Sequence, residues 1–266
     1  STSRRQRQMC IRDRVCSLML LMSSCESFLS EEPKDFLSPE NLPNTEAECN
    51  MLLMGSLSYW RSNNFERHIN FIAEATTDAV VSATANNVAR DEMNSLTWQS
   101  DNESLYKPWQ QFYACINASN IMIEKVPNAS KVSDEVKTRY VAAARYMRAM
   151  SYFYLVRIFN DVIYLDTPVN DFTSANNMTK TPAKEIYNKI VEDLEYAEAN
   201  LPVKWDSGTE RPTVAAAKSL LSWVYITMAG EQVKDNTMWA KAASKAKEVI
   251  DNAATCLLYT SDAADD

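Results

Sequence analysis

Residues 146–159 read YMRAMSYFYLVRIF. Apolar side chains occupy nearly every side of a 3.6-residue repeat there, so the stretch reads as a helix buried all round, not as an amphipathic surface helix. Such a helix belongs at the centre of a domain and needs neighbours on several faces. It is expected to span residues 134–159, because Ser133 is a favoured N-cap type and the acids Asp134 and Glu135 fill the first turn, where the helix dipole favours them.

Further helices can be read on either side. Residues 104–126 place Leu105, Trp109, Phe112, Ile116 and Ile123 on one stripe. Thr181-Pro182 opens a helix with proline at its first position, which runs to Asn200 and stops at Leu201-Pro202. Pro212 precedes another, 213–229, that ends at Gly230, and a last one spans 236–253. Near the start, Thr45 begins a helix through EAECNMLLMGSLSYW. Residues 61–103 are rich in Asn, Thr, Ser and Ala with weak periodicity, and are expected to form a long irregular insertion of the kind that often carries function. Trp109, Trp223 and Trp239 fall on helical stripes and are expected in the core. The helices pair antiparallel, 104–126 with 134–159 and 182–200 with 213–229. With the small-residue pattern AAAKSLLSWVY, this gives a mostly α fold of tetratricopeptide-like pairs stacked in a superhelix.

Composition agrees. The chain has 266 residues, 46% hydrophobic and 23% charged, and only three glycines, where average usage would give about 19. Neither a dinucleotide-binding GxGxxG nor a P-loop can be written with three glycines. The formal charge of −8 disfavours nucleic acid and anionic lipid as partners and fits a neutral or cationic ligand, or simply solubility. No cofactor motif and no CxxC is present, so a zinc or redox centre has no support.

The two ends differ from the body. Residues 1–14 carry five arginines, and 256–266 follow a helix with no apolar stripe. Both resemble translated adapter sequence and are read as non-native, with native tails as the alternative. Residues 15–24, VCSLMLLMSS, then form the remnant of a signal-peptide apolar region, too short to span a bilayer. Met22-Ser23-Ser24-Cys25 matches a bacterial lipobox: an apolar residue, two small ones for the peptidase cleft, and the cysteine whose sulfur takes the diacylglycerol. The alternative is a buried cysteine in an apolar strand. Residues 25–44, with Pro33, Pro39 and Pro43, read as a tether, and 45–255 as the folded body. Cys49 and Cys115 are its cysteines, expected as buried thiols and not as a disulfide.

The order of motifs resembles the SusD/RagB family of surface nutrient-binding lipoproteins of Bacteroidetes. Cys25 is followed by Phe28-Leu29, and a helix carries Trp109, Tyr113, Ile116 and Asn120. The central ARYMRAMSYFYLVRIFNDVIYL holds Arg148, Tyr152, Phe153, Leu155, Val156, Asp161 and Val162 in the family's places. EIYNKIVEDLEYAEANLP (185–202) and RPTVAAAKSLLSWVYITMAG (211–230) come next. Asn160 stands where the family prefers Gly and Ile163 where it prefers Pro, so the turn after the central helix is expected to differ locally. The resemblance implies capture of an oligosaccharide, usually a glycan nutrient, without catalysis. It implies handover to a SusC-like TonB-dependent transporter in the outer membrane, with a lipid anchor at Cys25 on the cell surface. It also implies a longer natural chain, whose C-terminal part completes the ligand site.

Sugar rings offer an apolar C–H face and a polar rim, so aromatic rings beside amides or charged groups are the residues to look for. Trp98, followed by Gln99, Asp101 and Asn102, is the first candidate; Tyr59, Trp60 and Arg61 are second, and Asp78 third. Asp161 is expected to bond nearby backbone amides, and Arg145 and Arg148 to pair with acids on a neighbouring helix. A helical glycosidase would need two positioned carboxylates, for which Glu74 and Asp78 are one chance spacing among many. A Ser-His-Asp site would rest on His68, the only histidine. A third alternative is a lipid-anchored helical-repeat scaffold that binds a protein.

Overall fold

The computed structural model describes residues 43–80, 87–169, 178–206 and 211–251, with the side chains of 63–66 excepted. The chain divides into two compact units, Ser1–Asn41 and Leu42–Asp266, and the described residues all belong to the second. The lipobox with Cys25, the signal remnant, nearly all of the tether and both atypical ends lie outside the described residues.

Eight α-helices occur among the described residues: α1 (Glu46–Ser58), α2 (Asn63–Ala73), α3 (Val88–Ser95), α4 (Glu103–Lys125), α5 (Asp134–Phe159), α6 (Ala183–Asn200), α7 (Val214–Ala229) and α8 (Met238–Asp251). Each of α4 to α7 packs on the next in sequence, as stacked helix pairs require, and α1 and α2 pack on α4. There is no strand among the described residues, only one isolated antiparallel bridge between Val162 and Thr181.

Helix α5 is the centre. Half of its 26 residues are buried. Its first half, with Tyr140, Ala142, Ala143, Ala144 and Met147, builds one apolar cluster with Cys49, Leu53, Cys115 and Met122. Its second half, with Tyr152, Phe153, Leu155 and Val156, builds another with Phe112, Ile116, Ile186, Tyr187 and Leu221. Full burial of a Phe or Leu side chain contributes roughly 1.5–3 kcal/mol, so this one helix carries much of the hydrophobic stabilisation.

The caps are those the sequence offers. Thr45 and Glu48 form a capping box on α1, Ser133 caps α5 and Thr213 caps α7. Pro182 is the N-cap of α6, one position earlier than read from the sequence, and has no side-chain donor or acceptor of its own. Asp161 supplies what it lacks: its Oδ1 accepts from the Ala183 N–H at 2.9 Å. Cys49 and Cys115 are buried free thiols, and burial raises the Cys49 thiol to about 11.

Two expectations are corrected. The 61–103 stretch contains two helices, α2 and α3, with Asn87 capping the second. Its few apolar residues, among them Ile69, Ile72 and Met93, are diluted by polar ones, which masked the helical period. Trp223 and Trp239 are not core residues: they are 42% and 52% exposed. At Asn160 the backbone takes φ 61° and ψ −111°, a conformation that glycine favours.

Beyond that turn, residues 162–169 run extended along α4 and α5, and side chains fasten their backbone. Tyr113 Oη donates to Ile163 O at 2.8 Å. Tyr152 Oη accepts from Leu165 N at 2.6 Å and donates to Leu165 O at 3.2 Å. Asn120 Nδ2 donates to Leu165 O and Thr167 O at 3.0 and 3.1 Å. Asn117 accepts from Val169 N at 2.8 Å and donates to Val169 O at 3.3 Å. Asn120 is in turn held by Arg148, whose Nη1 donates to its Oδ1 at 2.8 Å, while Nε and Nη2 each meet the Asp193 carboxylate of α6 at 2.8 Å. Arg145 reaches the same carboxylate at 3.6 Å, so both arginines have the partner on a neighbouring helix that the sequence led one to expect.

Candidate functional site

Helices α2, α3 and α5 and the start of α4 enclose a cavity of about 650 Å³. Its wall includes Ile69, Ile72 and Thr76 from the α2 side, Met93 of α3, Leu105 of α4, and Tyr154, Arg157 and Phe159 from the last turns of α5, with Trp98 completing it. Trp98 is 38% exposed, so its ring is shared between the wall and solvent.

The loop that carries Trp98 is pinned at both ends. Leu96 closes α3 in a left-handed conformation, its N–H reaching the Glu92 and Met93 carbonyls, and Thr97 N donates to Glu92 O at 2.9 Å. Asn102 closes the other end. Its Oδ1 accepts from Ser104 N at 2.8 Å as the cap of α4, and its Nδ2 donates to Ala89 O at 2.9 Å and Glu92 Oε2 at 2.7 Å. The buried His68 ties α2 to the same point through Ser104 Oγ at 3.2 Å, and burial lowers the imidazole pKa.

Arg157 stands at the C-terminal end of α5 with its guanidinium over three rings: Trp223 at 4.7 Å, Phe153 at 5.1 Å and Tyr154 at 5.7 Å. The exposed Trp223 is thus bound edge to face to Phe153 at 5.2 Å and stacked on Arg157, so it extends the aromatic surface beyond the cavity. The sequence pattern alone does not single out Arg157, Tyr154 or Phe159, because they lie in the helix that reads as pure core.

A second cavity of about 600 Å³ lies between α4 and the fastened 162–169 segment. Tyr59, Trp109, Tyr113, Asn117, Leu165 and Met178 are among its walls. Trp109, on this cavity, meets Phe159, on the first, edge to face with ring centres 4.9 Å apart.

The residues singled out from sequence are therefore distributed. Trp98 lines the first cavity and Tyr59 the second. Trp60 is a packing residue, with its ring 5.1 Å from Tyr154 and 5.5 Å from Phe112. Asn102 is buried, with its amide committed to the loop, so it shapes the site without offering a free group to it. Asp78 and Glu74 are exposed on the turn after α2, and neither lines either of these two cavities. Among the described residues no group of three or more His, Cys, Asp or Glu side chains is placed to hold a metal ion.

A helical superhelix whose cavity is lined by aromatic rings and one cation has the form of a ligand-binding module. The SusD-like family described as starch-binding and associating with the outer membrane matches residues 27–226, and the chain belongs to that family. The SusD-like protein P2 of Formosa agariphila is 33% identical over 243 residues, covering 89% of this chain and 45% of that protein. The chain thus spans less than half the length of this relative. Two solved structures share the fold. A SusD homologue from Bacteroides thetaiotaomicron has a TM-score of 0.71 at 24% identity, over 80% of this chain and 42% of the other. A laminarin-binding SusD-like protein has a TM-score of 0.67 at 24% identity, over 78% and 43%.

Proposed function

We propose that this protein binds an oligosaccharide without transforming it and passes it to a SusC-like TonB-dependent transporter. In this reading it sits on the outer-membrane surface through a lipid on Cys25. The observation that carries the proposal is the half-exposed Trp98 ring beside Tyr154 and Phe159 in a cavity large enough for a few sugar rings. A sugar's C–H face stacks on such rings, while Thr76 and Arg157 are placed to meet hydroxyls. Membership of a starch-binding family supports the ligand class, as does the laminarin binding stated for one structural neighbour.

The test is calorimetric titration with oligosaccharides derived from laminarin and other glycans, comparing the native chain with Trp98→Ala. Loss of the ring is expected to weaken binding at least about ten-fold, since stacking and burial of one indole contribute more than about 1.4 kcal/mol. Circular dichroism should be unchanged, because Asn102 and Leu96 hold the loop independently of the ring. Equal affinity of the two proteins would overturn the reading, and release of reducing ends from a polysaccharide would replace binding with catalysis. Co-purification of the transporter, lost on Cys25→Ala in cells, tests the handover and the anchor.

A further inference from the structure

The charge inside the first cavity is of one sign. Arg157 is the only charged residue lining it among the described residues, in a protein of formal charge −8. Among the described residues no carboxylate pairs with Arg157 and no hydrogen bond uses its guanidinium; rings alone hold it. Its contacts with Trp223, Phe153 and Tyr154 are to rings, and none of them supplies an oxygen to its N–H groups. Arg148, on the same helix, is met instead by Asp193, Asn120 and Asp166. Arg157 is itself exposed, so its guanidinium can be reached from solvent, and the lining places no carboxylate to compete for it.

Resting on the oligosaccharide reading, we infer that the sugar taken by this cavity carries an anionic substituent, a uronate carboxylate or a sulfate ester, and that Arg157 receives it. A planar guanidinium meets either oxyanion through two parallel N–H···O bonds, while Trp98, Tyr154 and Phe159 line the same cavity and take the ring faces. Both ligand groups stay ionised at neutral pH, so the interaction needs no proton movement. The acidic balance of the chain makes non-specific capture of polyanions unfavourable, which leaves recognition to this one position.

The experiment titrates the whole chain with three probes of equal length: a neutral β-glucan oligosaccharide, an oligogalacturonate and a sulfated galactan oligosaccharide. One acidic probe is expected to bind at least about ten-fold more tightly than the neutral one, and added NaCl should erode that advantage. Which acidic probe gains identifies carboxylate or sulfate as the group read. Arg157→Gln should abolish the advantage and Arg157→Lys should retain part of it, both with melting curves close to the native chain. Neutral glucan bound as tightly as both acidic probes overturns this inference and leaves glycan binding standing, as does an Arg157→Gln protein that keeps the acidic preference. No binding to any probe by folded protein overturns both readings together.

Discussion

Asp193→Asn should cost far more stability than a change of two atoms suggests. The carboxylate receives two 2.8 Å bonds from Arg148, and both side chains are buried. Asparagine keeps the volume and one acceptor oxygen but removes the charge, leaving a guanidinium inside the protein among neutral acceptors only, with the Asn120 amide and, at 3.4 Å, the Asp166 carbonyl. Removing one partner of a buried pair costs about 3–5 kcal/mol, because an uncompensated charge remains in a poor dielectric. Against a total of about 5–15 kcal/mol, that is about a fifth or more of what holds a domain folded. In a protein of this size it corresponds to a melting point lower by roughly 6–20 °C. Urea unfolding followed by circular dichroism measures it directly. The double variant Arg148→Met, Asp193→Leu should be more stable than Asp193→Asn alone, since apolar replacement removes the stranded charge. An Asp193→Asn protein within about 1 kcal/mol of the native chain would refute the reasoning, as would a double variant weaker than the single one.

Local geometry sets two further outcomes. Asn160→Gly should raise the melting temperature slightly, by up to about 1 kcal/mol of stability, because glycine takes φ 61° without strain while only two long side-chain bonds, 3.2 and 3.3 Å, are lost; a lower melting temperature would contradict it. His68 has its pKa lowered by burial, so the folded protein resists its protonation and the unfolded chain does not. Its contribution is present above the ordinary imidazole value of about 6.5 and is lost as pH falls below that. Melting curves between about pH 7.5 and 5 should therefore fall more steeply for the native chain than for His68→Gln, and parallel slopes would show that His68 plays no part.

The architecture was legible where the chain is strongly periodic. The all-round apolarity of 146–159 identified α5 as central, and Ser133, Thr45 and the Pro-Gly punctuation fixed helix ends to within a residue or two. The pairing of Arg148 was foreseeable because a buried guanidinium requires an acid, although nothing local pointed to Asp193 rather than another carboxylate. Helices α2 and α3 escaped because their stability comes from packing on α4 and from the Asn87 cap, not from a strong stripe. The site was half legible. A tryptophan in a polar loop stood out, but Asn102 looked like a ligand contact when its amide is a loop fastener. Tyr154, Arg157 and Phe159 looked like core because periodicity cannot tell a buried face from the wall of a cavity.

Tyr113, Asn117, Asn120, Arg148 and Tyr152 secure the segment 162–169 through main-chain carbonyls and N–H groups alone, so the fastening does not read which side chains the segment carries. Proline is barred at 165 and 169, whose N–H groups are used, and other residues are admitted. Ile163, Leu165 and Val169 nevertheless face the second cavity. The part of the lining that the segment contributes is thus interchangeable: residues 163, 165 and 169 can be rewritten one by one, while Tyr113 and Asn117, which line the cavity and also hold the backbone, keep its shape where it is.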